Sequence, residues 1–139
     1  MGEAPPLVDR DQPLLDGYVI RLPYPMARRV EDGALVFWHS PKSLTFWINV
    51  SERDEAGDPL SDWRRVQSPD VTDEIVERAG GLVRYSYRVA EESDDGRQPA
   101  FQGFVAEERT EFLIAAYFDS PEAITDVMET WRSISRRMT

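Results

Sequence analysis

"DSPEAITDVMETWRSISRRM" (residues 119–138) is the stretch whose reading decides the fold. Ser120 is placed to cap a helix, Pro121 suits the first helical position, and Glu122 complements the positive helix end. Ile124, Val127, Met128, Trp131, Ile134 and Met138 then recur at helical spacing and trace one apolar stripe, with Arg132, Arg136 and Arg137 near the negative end. Such a stripe must be buried. The only apolar surface in the chain large enough to receive it is a sheet.

The strands that build this sheet show as alternation. "YVIRLP" (18–23) is a short first strand ended by Pro23, and Pro25 then keeps the chain out of regular structure. "GALVFWH" (33–39), the connection "SPKS" (40–43) and "LTFWINV" (44–50) make a hairpin. In its second arm Leu44, Phe46, Ile48 and Val50 form a complete apolar row, and Thr45, Trp47 and Asn49 form a mixed row on the other side. "LVRYSYRVA" (82–90) separates Val83, Tyr85, Tyr87 and Val89 from Leu82, Arg84, Ser86 and Arg88. The acidic loop "EESDDGRQP" (91–99) leads into "AFQGFVAEE" (100–108) and "TEFLIAAYFD" (110–119), which complete a meander. Between the two halves, a short helix is predicted from Asp58 or Ser61 through Leu60, Trp63 and Val66. A second is predicted from Asp70 or Thr72, because Val71, Ile75 and Ala79 recur four apart and Gly80–Gly81 stops them.

This order implies an α+β fold resembling an α/β/α sandwich. It has a largely antiparallel six-stranded sheet, the C-terminal amphipathic helix on one face, and the shorter central helices on or near the other. Residues 1–16, with Pro5, Pro6 and Pro13, read as a loosely ordered or clamped leader, and residues 17–139 as one domain.

Composition narrows the function more by exclusion. The 139 residues carry a net charge of −10, 41% hydrophobic and 11% aromatic residues, no cysteine and one histidine. Disulfides and thiol chemistry are absent. A phosphate backbone or an anionic membrane surface is repelled, so neither nucleic acid nor membrane is expected as a partner. No apolar run is long enough to span a bilayer, and the N-terminus lacks the pattern of a secretory signal. The cytoplasm is therefore the default location, with a mature exported form left open. Fifteen of the sixteen basic residues are arginine, Lys42 being the exception, a bias of genomic composition more than of a site.

"YVIRLPYP", "ALVFWHSPKSLTFWINV", "LSDWRRV" and "IAAYFDSPEAITDVMETWRSI", in that order over residues 18 to 137, resemble the Mog/PsbP-like superfamily. That group includes the extrinsic P subunit of photosystem II, a Ran-binding nuclear-import factor and bacterial DcrB-type proteins. The resemblance lies in element order and aromatic placement. It implies a non-enzymatic accessory protein that binds a macromolecule; separately, a monomer or weak dimer is expected. It transfers no binding residue.

No constellation of side chains argues for catalysis. His39 has no second histidine or cysteine for a transition-metal site, and Ser40, its strand neighbour, points to the opposite face. The clusters Asp54–Glu55–Asp58 and Glu91–Glu92–Asp94–Asp95 lack calcium-loop spacing and read as solvated loops, so neither metal nor cofactor is expected. One surface stands out. Trp47, Arg84, Arg88, Gln102, Phe104 and Tyr117 are expected side by side on the mixed sheet face, in the residue types that dominate interface energetics. The competing expectation is that the central helices cover this face. A protein partner is the leading reading. The alternative is an anionic-ligand carrier, or a weak enzyme, using a pocket between sheet and helix and holding its ligand through the arginines.

Overall fold

The computed structural model describes residues 6–14, 17–53, 59–66, 71–89, 101–118 and 120–136. It is an α+β structure dominated by antiparallel sheet. The hairpin expected at 33–50 is formed by β5 (Ala34–His39) and β6 (Leu44–Glu52), joined through a 3₁₀ turn at Ser40–Lys42. Ser43 closes that turn in the left-handed region, at φ 50°. The meander is formed by β8 (Leu82–Val89), β9 (Phe101–Glu107) and β10 (Thr110–Phe118). β10 lies against β6, Ile114 opposite Ile48, and so joins the two halves of the sheet.

Eleven strands, not six, are present among the described residues. Pro25 does not keep the next segment irregular, because Met26–Glu31 forms β4 and pairs with β5. Their connection is Asp32–Gly33, both at positive φ (51° and 83°), the conformation a two-residue hairpin needs to match strand twist. The described part of the leader is also structured. β1 (Leu7–Val8) pairs with β4, and β2 (Asp11–Pro13) pairs with β3 (Tyr18–Arg21), so the segment bridges two sheets.

The largest departure is at 70–79. In place of a second central helix, Val71–Ala79 forms β7, paired along its length with β8. A four-residue repeat is a multiple of two, so Val71, Ile75 and Ala79 satisfy strand alternation as readily as a helical stripe. β-Branched Val71, Thr72, Ile75 and Val76 favour the strand. Gly80 and Gly81 then make a hairpin turn, with Ala79 opposite Leu82 and Gly80 at φ 60°. The large sheet therefore runs β1-β4-β5-β6-β10-β9-β8-β7. At the β7 edge, a register shift between Thr72 and Ile75 and a run of charged side chains oppose edge-to-edge pairing.

The C-terminal helix is shorter than its sequence pattern. α2 spans Ala123–Ser133. Ser120 does not cap its backbone; its hydroxyl instead bonds the Glu122 carboxylate. After Ser133 the chain extends, and Ser135–Arg136 forms β11 beside β3, giving a three-stranded sheet ordered β11-β3-β2. The Arg21 N–H donates to Ser133 Oγ at 2.8 Å and holds the helix end to β3. Arg136 therefore lies over the Tyr18 ring, 5.2 Å from its centroid, and does not extend a helix. Met138 and Arg137 fall outside the described residues.

The small sheet and α2 together cover one face of the large sheet. Tyr18, Ile20 and Leu22 pack there with Phe37, Phe46, Ile48, Phe112 and Ile114, beside Val127, Trp131 and Ile134. Trp131 has no exposed surface. It seats over Gly103, meets Phe101 edge-on at 5.7 Å and donates its indole N–H to the Phe104 carbonyl at 3.3 Å. The Tyr18 hydroxyl donates to Glu107 at 2.6 Å; burial first, and that carboxylate second, push its pKa up to about 12.

Candidate functional site

The opposite face begins from the strand registers. Across the sheet, Arg29, Val36, Trp47, Ala115, Gln102 and Tyr87 fall in one row. Trp38, Thr45 and Tyr117 form the neighbouring row toward the 3₁₀ turn. Leu113, Phe104 and Tyr85 form the next row on the other side.

α1 (Leu60–Val66) covers only part of this face. Trp63 lies on Phe104 at 5.2 Å and near-parallel to Tyr85 at 6.2 Å, in a cluster that also contains Tyr87 and Ala106. Its indole N–H donates to the Glu111 carboxylate. The Tyr85 hydroxyl donates to Glu74 at 2.5 Å, and burial, then that carboxylate, raise its pKa. Phe104 is therefore a core residue beneath α1.

The other half of the face carries no described element. There Trp38, Thr45, Trp47 and Tyr117 are half-buried and, with Arg29 and Val36, line a groove of about 390 Å³. The Arg29 guanidinium stands 5.0 Å from the Trp38 ring and pairs with Glu31 at 2.7 Å. The floor is thus aromatic, with one cation–π pair at its rim.

Of the six residues expected side by side, Trp47 and Tyr117 line the open half, Gln102 lies on the same face in the row of Trp47, and Phe104 shares the face but is covered. Arg84 and Arg88 are not there. Arg84 pairs with Val105 and Arg88 with Phe101, both residues of the α2-side row. Alternation sorted β8 correctly into two rows, but the aromatic row, not the arginine row, faces α1. Arg84 donates to the Ile134 carbonyl at 3.1 Å, and burial pushes its pKa below the ordinary value, with Glu77 opposing and Arg132 assisting. Arg88 lies over Phe118 at 5.4 Å.

Trp38 and Arg29 were not among the expected site residues. Trp38 was within reach of the sequence: a four-residue connection from His39 to Leu44 sets Trp38 opposite Thr45 and Val36 opposite Trp47. Arg29 could be found only once Met26–Glu31 is recognised as a strand. His39 lies on the α2-side face, its ring 4.4 Å from that of Tyr24. Among the described residues, no group of three His, Cys, Asp or Glu side chains is placed to hold a metal ion, and no helix is long and apolar enough to cross a membrane. Comparison with protein-family models and with curated proteins returns no match.

Proposed function

We propose that this chain is a non-enzymatic accessory module that binds another protein through the Trp38–Trp47–Tyr117 half of its large sheet. The observation that carries this is the partial cover of that face among the described residues: α1 shields one half, while two tryptophans and a tyrosine of the other line a groove. Large aromatics and arginine supply much of the binding energy in protein interfaces, the rigid aromatics at small cost in side-chain entropy. The chain's net charge of −10 favours a partner with a basic rim around the apolar side chain it seats on the tryptophan pair. The resemblance to the Mog/PsbP-like superfamily, whose members act by binding macromolecules, supports the same role.

The test is affinity capture from the native source with the full chain and with Trp38→Ala and Trp47→Ala, each first shown by thermal melting to stay folded. A stoichiometric protein held by the parent chain, released by salt and lost by both variants, is the expected result. A partner retained equally by both variants overturns this surface, and recovery of only a small metabolite overturns protein binding itself.

A further inference from the structure

The spacing of the groove aromatics narrows the partner they can seat. Trp38 on β5 and Tyr117 on β10 both stand opposite Thr45 of β6. Their Cα atoms are therefore two strand spacings apart, about 9–10 Å, with Thr45 as the floor between them. Trp47 lies on the same face, about 6–7 Å further along β6, and bounds the groove on that side. The hydrogen-bond donors divide in the same way. Of the four tryptophans, Trp131 donates its indole N–H to the Phe104 carbonyl and Trp63 donates to Glu111. The indoles of Trp38 and Trp47, and the hydroxyls of Thr45 and Tyr117, make no hydrogen bond among the described residues, and all four side chains line the groove. Arg29 is paired with Glu31 at 2.7 Å, so the rim beside Trp38 carries no net charge. The groove thus suits flat apolar groups about 9–10 Å apart, with free acceptors between them and no charge at the centre.

We infer that the groove seats a proline-rich segment of the partner in the polyproline II conformation, an assignment that rests on the protein-binding reading of this face. The segment lies across the strands, with two prolines three residues apart against Trp38 and Tyr117 and its carbonyls accepting from the two indoles. Polyproline II has three residues per turn and a rise of about 3.1 Å, so prolines at i and i+3 share one edge about 9.3 Å apart, the span of the two rings. Its carbonyls have no internal partner and are free to accept. An α-helix engages its carbonyls along its length, and a β-strand repeats like-facing side chains about every 6.6–6.8 Å, so neither meets both requirements. The conformation is preformed, which keeps the ordering cost of docking on aromatic rings small. Basic residues outside the proline pair complement the net charge of −10 without entering the uncharged centre.

The test titrates the full chain with the capped peptide Arg-Arg-Ala-Pro-Ala-Ala-Pro-Ala-Arg-Arg, followed by tryptophan fluorescence and by the indole N–H resonances in NMR. Three control peptides move the second proline one residue on, replace both prolines by alanine, or replace the arginines by glutamate; cellohexaose serves as a stacking sugar. The parent peptide is expected to shift Trp38 and Trp47 and to leave Trp63 and Trp131 in place. The misplaced-proline and alanine peptides should bind at least tenfold more weakly. The glutamate peptide should also bind more weakly, by a margin that closes as salt rises. Trp47→Phe, which keeps a ring and loses the N–H, should weaken binding about fivefold, the loss typical of one hydrogen bond. No binding of the parent peptide overturns the inference, as does equal binding of the misplaced-proline or alanine peptide, tighter binding of cellohexaose, or shifts confined to Trp63 and Trp131. The parent-chain shifts decide this whether or not the variant folds. If the peptide fails while a captured protein is still lost with Trp38→Ala and Trp47→Ala, the polyproline assignment falls and the docking surface stands.

Discussion

Gly103→Ala tests the packing of α2 with a single methyl group. A Cβ at this position would stand 2.6 Å from Trp131 Cδ1, 2.8 Å from Phe101 Cε1 and 2.9 Å from Ile114 Cγ2, all well inside the roughly 3.5–4.0 Å optimum for carbon pairs. None of the three can swing into solvent, since Phe101 is 1% exposed and Trp131 and Ile114 are fully buried. Overpacking of this kind costs about 1–3 kcal/mol. Against it stands the gain of about 0.5–1 kcal/mol from removing a glycine from a strand interior. With three contacts inside 3.0 Å the cost falls toward the upper end of its range and the clash wins, for a net loss of up to about 2.5 kcal/mol, or a fall in the urea midpoint of up to roughly 1.2 M for a domain with an m-value near 2 kcal/mol/M. Gly81→Ala is the matched control. Nothing lies within 4 Å of its added methyl, and Gly81 is not among the glycines at positive φ. Only the backbone gain remains there, about 0.4–1 kcal/mol of stabilisation. Two glycine-to-alanine changes in one chain should therefore move the midpoint in opposite directions. If Gly103→Ala matched or exceeded the parent in stability, Trp131 could not be seated over residue 103, and the contact that anchors α2 to the sheet would be wrong.

Three further outcomes follow from other contacts. Trp63→Ala removes the ring stacked on Phe104 and Tyr85, and should cost about 3 kcal/mol or more, with loss of near-ultraviolet dichroism from the aromatic stack; retention of that signal would place its source elsewhere. Tyr18 and Tyr24 both have folded pKa values raised to about 12 from an ordinary 10, mainly by burial, so the folded state favours the neutral phenols. Their contribution is complete below pH about 10 and is lost as pH rises toward about 12; tyrosinate absorbance and melting midpoints report it, and Tyr18→Phe should flatten the decline. Trp47→Ala and Arg88→Gln lie on opposite faces and share no contact, so their stability effects should add to within about 0.5 kcal/mol; a larger coupling in a double-mutant cycle would mean that the two surfaces are not separate.

Much of the sheet can be read directly from residue alternation, and the elements that cannot be read share a physical cause. The β5–β6 hairpin and the β8–β10 meander contain uninterrupted rows of apolar and aromatic side chains, which have no stable alternative to pairing. β4 is harder to see because it lies near one edge and carries Arg28, Arg29 and Glu31; its pairing shows mainly through Asp32–Gly33, a turn that demands positive φ. β11 arises because Ser133 bonds to Arg21 across the molecule, a contact that no local pattern encodes. In β7, the spacing of Val71, Ile75 and Ala79 fits both periods, and the charge-rich exposed strand offers no second apolar row to decide between them.

The site divides for a related reason. Alternation along β8 separates aromatic from arginine residues, but it does not say which row faces which cover. In a sheet open to water on one side, the arginines would take the wet face. This sheet is covered on both, in part, so neither row belongs to solvent. The aromatics go beneath α1 because Trp63 stacks on Tyr85 and Phe104, and three flat rings exclude more water together than arginine stems could. Arg84 and Arg88 are then carried to the α2 side, where one caps the Ile134 carbonyl at the helix end and the other lies over Phe118. Packing beneath a seven-residue helix thereby determines that the aromatic groove and the arginine row lie on opposite faces of the sheet.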